Sequence, residues 1–341
     1  MKSFASDNYA GVLPEVMQAL NDANSQHAVS YGADYITQRA VSLFRDVFDA
    51  DVDVYFVFNG TGANVLSISS CTMSYNAVLC ADISHIYNDE SSAPETITGC
   101  RFFPMPTNEA GKLTVEAIAP RLIRKGDIHY AQTQMLSATQ STEYGTVYTA
   151  AELKALADIA HANGLYFHVD GSRFFNAAAS LGCALKDIST NAGVDILSLG
   201  GTKAGMMFGE AVVVFNKKLS EHIAYKHKQC MQLASKTRFI AAQFEAMLQN
   251  EVWRTHAIHA NDMAQKLSGA LGAFPQINIT KPVQANAVFA ELPMEWIKPL
   301  QAQFPFYIWK DTTNEARLMC SFDTTAADVD AFAEAIGKLA L

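Results

Sequence analysis

Long apolar runs are missing from this sequence. No segment approaches the roughly 18 uninterrupted apolar residues that a membrane helix needs, and the opening MKSFASDNYAGVLPEV has no apolar run of a signal peptide. Half of the 341 residues are hydrophobic and 17% are charged, which is typical of a globular protein with a large core. We therefore expect no membrane partner and a cytoplasmic location.

Basic charge and paired cysteines are scarce as well. The net charge of −9 argues against nucleic acid as a partner, because phosphate binding relies on a basic surface. The six cysteines are scattered without a C-x-x-C pair. This favours free buried thiols over disulfides or zinc, and no metal site is expected.

The chain does contain short apolar runs that alternate with helical patterns. A helix is marked most clearly over 149–164, with Thr149 as N-cap, Glu152 three residues later and Gly164 at the end. The runs that read as strands are VYFVF (54–58), AVLCAD (77–82), MLSAT (135–139), LYFHVD, DILSLGG and EAVVVFN. Near-continuous apolar strands between helices predict an α/β fold with a mostly parallel sheet covered on both faces.

The pattern changes after about residue 250. Helical stretches there surround AVFAELP (287–293), FYIWK (306–310) and RLMCSF (317–322), and an amphipathic helix closes the chain. We predict a large domain over 1–250, including the N-terminal segment, and a smaller α+β domain over 251–341.

Polar loops follow four of the predicted strands, and parallel strands place such loops at one edge of the sheet. They are NGTGAN, ISHIYNDE, the GSR after Asp170, and TKAGM with Lys203. Taken singly, they could be a tight turn, a loop histidine, a helix N-cap and a solvated lysine. Together they offer a phosphate-binding helix start, an acid for a pyridinium nitrogen and an amine for a Schiff base, which is what pyridoxal phosphate requires. A nucleotide-binding protein is the alternative, but G-x-G-x-x-G is absent.

At this point the motifs resemble one family. The motifs SDNYAGVLPEVMQAL, FNGTGAN, SHIYNDE, HVDGSRFFNA, GGTKAGM and RLMCSFDTT are similar, in this order along the chain, to those of the L-threonine aldolase family, also classed as β-eliminating lyases. The likeness is strongest to its low-specificity L-threonine aldolase and phenylserine aldolase branch. It implies the aspartate aminotransferase-like fold type I with a seven-stranded, mostly parallel sheet, and pyridoxal 5′-phosphate as cofactor.

The resemblance also implies roles for cofactor-binding residues. Lys203 would form the Schiff base, Asp170 would pair with the pyridine nitrogen, and His85 would stack on the ring and take part in proton transfer. Arg173 would lie near the cofactor oxygen and the substrate carboxylate. Phosphate contacts would come from Gly60, Thr61 and Thr202, and from Arg238 of a neighbouring subunit.

Substrate contacts follow from the same likeness. Ser6 and Arg317 match residues that bind the substrate carboxylate, His129 matches a histidine near the substrate hydroxyl, and Tyr31 matches a tyrosine near a subunit boundary. The expected assembly is a homo-oligomer, a dimer of dimers. Either His85 or His129 could be the base that removes the β-hydroxyl proton.

The resemblance predicts retro-aldol cleavage of L-threonine or L-allo-threonine to glycine and an aldehyde. A phenylserine aldolase or another β-eliminating lyase is the alternative, and a non-catalytic cofactor-binding protein is a more distant one. Two stretches depart from the common family pattern: SDNYAG stands where SDTVT is usual, and ATQSTEYGT replaces ENTHNxGG. The second lies at a strand end, so the side-chain specificity stays open.

Overall fold

The computed structural model describes residues 2–340, which form two β-sheets with helices packed around them. The strands are β1 Asp53–Val57, β2 Asn76–Ala81, β3 Arg101–Met105, β4 Gln132–Thr139, β5 Tyr166–Gly171, β6 Ile196–Gly200, β7 Glu210–Val214, β8 Asn278–Ile279, β9 Ala287–Glu291, β10 Tyr307–Lys310 and β11 Glu315–Met319. The helices are α1 Pro14–Ala23, α2 Tyr35–Phe48, α3 Gly60–Cys71, α4 His85–Asn88, α5 Ala93–Thr98, α6 Val115–Ile118, α7 Ala150–Ala162, α8 Phe174–Leu181, α9 Ser220–Gln229, α10 Arg238–Leu248, α11 Val252–Leu271, α12 Met294–Gln301 and α13 Ala326–Leu339.

The larger sheet has seven strands in the order β1-β7-β6-β5-β4-β2-β3. All neighbours in the run from β6 to β3 are parallel, and β7 is antiparallel to both β6 and β1. The prediction of a mostly parallel, seven-stranded sheet is therefore confirmed. Because only β7 runs the other way, the carboxyl ends of the six remaining strands meet at one edge.

Local signals placed most elements correctly. Helix α7 begins after Thr149, whose side chain accepts from the backbone of Glu152 while the Glu152 carboxylate accepts from the backbone N–H of Thr149. Strand β3 was not predicted, because Pro104 interrupts its apolar run. It forms an edge of the sheet, where the missing proline N–H breaks no ladder between two strands.

The smaller sheet, β10-β11-β9-β8, is antiparallel throughout and has its own apolar core. Helix α11 joins the two cores, since Trp253 packs in the first, and Leu267 and Leu271 pack in the second. Phe4, from the N-terminal segment, is also buried in the second core. A domain boundary at residue 250 stays a prediction. In the part of the chain that the structure describes, no helix is both long enough and apolar enough to span a bilayer.

The cysteines carry free thiols in the structure. Five of the six are buried and Cys183 is half-buried. Burial raises the pKa of the Cys80 thiol to about 12, which keeps this thiol protonated and unreactive.

Candidate active site

The carboxyl edge of the large sheet carries the polar groups that the sequence singled out. Asp170 lies near the end of β5, and Lys203 lies in a 3₁₀ turn, Thr202–Ala204, just after β6. His85 begins α4 after β2, and Gly60 begins α3 after β1. Strands β5 and β6 are direct neighbours, so Asp170 and Lys203 follow adjacent strands.

Asp170 is a buried carboxylate whose oxygens are held by hydrogen bonds. Its Oδ2 accepts from Asn64 Nδ2 at 2.9 Å, and its Oδ1 accepts from the hydroxyl and the backbone N–H of Ser172 at 2.8 and 3.1 Å. Burial raises the pKa of Asp170, but nearby histidines, including His85, together with these donors outweigh it and lower the pKa overall. An acid that stays ionised in a buried place can hold a positively charged partner.

A buried histidine lies beneath this carboxylate. His168 shares strand β5 with Asp170 and points its ring nitrogens at Ser137 Oγ and Ser198 Oγ, at 2.8 and 3.0 Å. Burial lowers the pKa of His168 to about 4, so at neutral pH this ring is uncharged. Its role is therefore to position polar groups below the site.

The turn with Lys203 is shaped by close packing. A Cβ on Gly200 would lie 2.4 Å from the backbone oxygen of Ser172, so only glycine lets the ends of β5 and β6 approach this closely. Thr202 Oγ1 accepts from the backbone N–H of Gly209 at 3.1 Å, which ties the turn to the start of β7. The Lys203 ammonium has no hydrogen bond or ion pair with any residue within 2–340, and the side chain lines a small cavity at the edge of the smaller domain.

Glu210 supports the same turn from below. It begins β7 and accepts a hydrogen bond from the backbone N–H of Gly201, one residue before Thr202. Burial raises the pKa of Glu210 to about 7. The carboxyl group can accept this bond in either protonation state, because the neutral form keeps its carbonyl oxygen.

His85 is held by two carboxylates. Its backbone N–H donates to Glu143 Oε1 at 3.0 Å, and its ring Nδ1 lies 2.9 Å from Glu90 Oε1. The hydrogen bond to Glu90 raises the pKa of His85 and outweighs burial, which lowers it. The same Glu90 oxygen accepts from Asn64 Nδ2 at 2.8 Å.

The guanidinium group of Arg173 is held by the carboxylate of Asp7. Its Nε and Nη2 donate to the two carboxylate oxygens of Asp7 at 2.7 and 2.9 Å, a bidentate pair with both side chains buried. Asn286 donates to the same carboxylate at 3.1 Å. Burial raises the pKa of Asp7, but Arg173, Lys203 and Asn286 together outweigh burial and lower the pKa overall. The Nη1 nitrogen of Arg173 makes no hydrogen bond among the residues that the structure covers.

Arg317 is partly buried and has no carboxylate partner in the described chain. Its Nη2 makes a long bond of 3.4 Å to the backbone oxygen of Ala5, and its Nε is buried without any partner. The guanidinium lies 5.0 Å from the Trp309 ring and 5.6 Å from the Tyr307 ring. Burial and the like charge of Arg173 lower the pKa of Arg317. An anion bound here would give the buried Nε a hydrogen-bond partner.

The start of α3 presents backbone donors. Asn59 caps the helix by accepting from Gly62 N at 2.8 Å, and nothing lies within 4 Å of where a Cβ of Gly60 would be. A helix start open in this way can bind a phosphate group through its N–H groups and its dipole. Gln232 lies against the same turn, and its Oε1 accepts from Phe58 N at 3.0 Å.

Four of the predicted residues lie apart from this cluster or serve locally. His129 is exposed in the loop before β4, whereas the site lies at the far end of that eight-residue strand, roughly 26 Å along. Tyr31 is exposed, and its backbone N–H donates to Ser235 O at 2.9 Å. Arg238 begins α10 with its Nε buried and unpaired. Ser6 is half-buried and accepts from Asn8 N at 3.2 Å.

Sequence reasoning missed four side chains at this edge. They are Asp7, Asn64, Glu90 and Glu143. Each falls inside a stretch that sequence reading had marked: SDNY, NGTGAN, SHIYNDE and ATQSTEYGT. A search for every acid or amide in the strand-end loops would have found Asn64, Glu90 and Glu143, although not their partners, whereas Asp7 lies in the N-terminal segment before the first strand.

The donor set fits pyridoxal phosphate. Asp170 is a buried, ionised acid for a pyridine nitrogen, Lys203 supplies an unpaired amine, and the space at Gly60 leaves room for a phosphate against α3. The buried, unpaired Nε atoms of Arg238 and Arg317 add two donors that need anions.

Comparison with known proteins gives a consistent result. The family described as "Beta-eliminating lyase" matches residues 3–294. The chain is 42% identical to a "Low specificity L-threonine aldolase" of a Pseudomonas species (strain NCIMB 10558), over 96% of this chain and 95% of that protein. It is also 42% identical to the protein of the same name from Pseudomonas aeruginosa, over 95% and 93%. A solved threonine aldolase from Leishmania major superposes with a TM-score of 0.94 at 29% identity and covers all of both chains.

Proposed function

This chain belongs to the β-eliminating lyase family, and we propose that it cleaves L-threonine and L-allo-threonine to glycine and acetaldehyde. It is a carbon–carbon lyase of the threonine aldolase type, and its cofactor is pyridoxal 5′-phosphate. Other β-hydroxy amino acids with larger side chains are further substrates under this proposal.

The observation that carries the proposal is the pair of neighbouring arginines, Arg173 and Arg317, next to Asp7. Arg317 has a buried Nε without a partner and no anion among the described residues, and its neighbour Arg173 is fixed by Asp7 so that one nitrogen stays available. Arg173 lies close enough to lower the pKa of Arg317, so an anion bound between them would accept charge-assisted hydrogen bonds from both guanidinium groups. The α-carboxylate of an amino acid supplies it and would bring Cα toward Lys203.

The chain's own residues would hold the cofactor at three points. Lys203 would attach it through Nζ, Asp170 would hold its ring nitrogen, and the start of α3 at Gly60 and Thr61 would hold its phosphate. When bound, pyridoxal phosphate supplies a sink for the electron pair released from the Cα–Cβ bond. Thr202 serves the site by fixing the turn that carries Lys203.

The proton of the β-hydroxyl goes to a histidine in this proposal. His85 is the base that the chain itself brings to the site edge, and its Nδ1 is engaged by Glu90, which leaves Nε2 to accept the proton. General-base help of this kind contributes about 10²- to 10⁴-fold. His129 could take part only from a neighbouring subunit, because its own loop lies at the opposite edge of the sheet.

We propose a dimer or a dimer of dimers with Arg238 and Tyr31 near the boundary. The unpaired Nε of Arg238 and the exposed Tyr31 support this, and Tyr31 contacts the loop that leads into α10. In this arrangement, Arg238 serves the phosphate of the neighbouring subunit. A cytoplasmic location remains an expectation.

The test is aldehyde release from the purified protein loaded with cofactor. L-threonine or L-allo-threonine should yield acetaldehyde, followed with alcohol dehydrogenase, in the presence of a chelator, and D-threonine should not. Keto-acid acceptors are tested in parallel. Amino transfer to a keto acid without aldehyde release would overturn the proposal.

Phenylserine is the second candidate substrate. The rings of Tyr307 and Trp309 flank Arg317, so the carboxylate site has an aromatic wall on which a phenyl side chain could pack. Relative kcat/KM values on L-threonine and L-threo-phenylserine decide which substrate the site prefers.

A further inference from the structure

Behind His85 lies a buried chain of hydrogen bonds that the site as described so far does not use. His85 Nδ1 lies 2.9 Å from Glu90 Oε1, and Asn64 Nδ2 donates to that oxygen at 2.8 Å. Asn64 Nδ2 also donates to Asp170 Oδ2 at 2.9 Å. The Asn64 amide nitrogen therefore donates to two buried carboxylates, Glu90 behind His85 and Asp170 at the position proposed for the cofactor nitrogen.

The side chain of Glu90 is buried and pairs with the His85 ring. Its side chain is 1% exposed, and the His85 ring is its only charged partner among the residues described. The Oε2 of Glu90 and the Oδ1 of Asn64 are buried without partners. A buried carboxylate without a cation is costly, so Glu90 favours a protonated His85 ring.

We propose that Glu90 is a positioning residue that holds Nδ1–H of His85, directs Nε2 to the substrate, and stabilises the ring once it carries the substrate proton. Asn64 fixes the Glu90 carboxylate and connects it to Asp170. The proposal rests on the proposed function, because it names how the base of that reaction is tuned. In the proton transfer, the β-hydroxyl O–H bond breaks and an N–H bond forms at Nε2, while the Nδ1 proton stays with His85. The arrangement is the same in kind as an acid that orients a catalytic histidine in hydrolases.

Three acids face His85 and must be separated in a test. Glu90 contacts its ring, Glu143 accepts from its backbone N–H at 3.0 Å, and Asp170 acts on it by charge alone. Of these, only Glu90 bonds a ring nitrogen, and its hydrogen bond contributes most to the raised pKa of His85. Removing its charge should therefore move the titration of His85 to lower pH.

The measurement is a ¹³C NMR titration of histidine Cε1, on the holoenzyme and on the cofactor-free protein. The His85 signal is the one that disappears in His85→Asn. In the wild-type protein, its midpoint should lie above the ordinary value of about 6.5. In Glu90→Gln, which keeps the shape and removes the charge, the midpoint should move to lower pH. In Glu90→Asp, which keeps the charge, the midpoint should be higher than in Glu90→Gln and closer to the wild-type value.

The matched control is Glu109→Gln. Glu109 is exposed in the loop after β3, at the same edge of the sheet, and its side chain has no partner in the described chain. This variant removes the same charge and should leave the His85 midpoint where it is. A midpoint that moves equally in both variants, or in neither, would overturn the proposal.

Kinetics then test the consequence for the reaction. In Glu90→Gln, the acid limb of the kcat/KM profile should move to lower pH, and the plateau should fall by about tenfold or more. A purely structural role would lower the plateau without moving the limb, and that result would overturn the positioning role. Should the wild-type enzyme release no aldehyde, the proposed function fails, whereas the NMR titration still decides whether Glu90 holds His85.

Discussion

Replacing Arg317 with methionine should separate activity from stability. Arg317 lies in β11 and is partly buried, with its Nε buried and unpaired and only a 3.4 Å bond from Nη2 to Ala5 O. If it binds the substrate carboxylate by two charge-assisted bonds, each worth about 1.5–3 kcal/mol, their loss lowers kcat/KM by about 10²- to 10⁴-fold. The cofactor should stay bound, because Lys203, Asp170 and α3 are untouched.

The fold should tolerate the same change. Removing the unpaired Nε should stabilise the folded chain by about 1–3 kcal/mol. Losing the contacts with Trp309 and Tyr307 should destabilise it by about 0.5–1 kcal/mol for each ring. These terms nearly cancel, so the free energy of unfolding of Arg317→Met should lie within about 2 kcal/mol of the wild-type value.

Arg173→Met is the matched comparison. Arg173 is bonded bidentately to the buried Asp7. Its loss leaves that carboxylate without its cation, which should destabilise the fold by about 3–5 kcal/mol. Guanidinium unfolding of the cofactor-free variants measures stability, and coupled aldehyde release measures kcat/KM. The reasoning is refuted if Arg317→Met destabilises the chain as much as Arg173→Met, or if it retains wild-type kcat/KM.

Four further outcomes are expected. Borohydride reduction of the yellow holoenzyme should attach the cofactor to Lys203; mass analysis that finds another lysine would contradict this. The folded-state pKa of Asp7 is lowered, so its contribution to stability is present above its unfolded pKa and is lost as pH falls through the folded value. Asp7→Asn should therefore be less stable than the wild type at neutral pH and approach it in acid. A stability difference that does not change with pH would contradict this. Glu143→Gln keeps an acceptor for His85 N and removes a negative charge that competes for the two arginines, so KM for threonine should fall rather than rise. Arg238→Ala should release the cofactor faster on dialysis, and wild-type retention, or an active monomer in sedimentation, would exclude the subunit-boundary role.

The predicted and observed sites differ mainly in the partners of the named residues. Lys203 and His85 follow strands of the large sheet and Asp170 lies near the end of β5, so the direction of these strands alone brings them to one edge. Arg317 lies within β11 of the smaller sheet, and only the packing of the two sheets brings it near Arg173 and Asp7. His129 precedes β4, so the direction of this strand places it at the opposite edge, whereas only the family resemblance had placed it near the substrate hydroxyl.

The sequence by itself determined the order of strands and helices, because apolar periodicity and caps such as Thr149 act over a few residues. It also determined which loops carry reactive groups. Only the tertiary structure decided which of those groups meet: Asp7 and Arg173 are 166 residues apart in the chain, and Asn64 and Asp170 are 106 apart. Contacts of this length depend on how whole elements pack, and no local pattern encodes them. The ionisation of the site depends on the same packing, since burial and long-range partners shift each pKa.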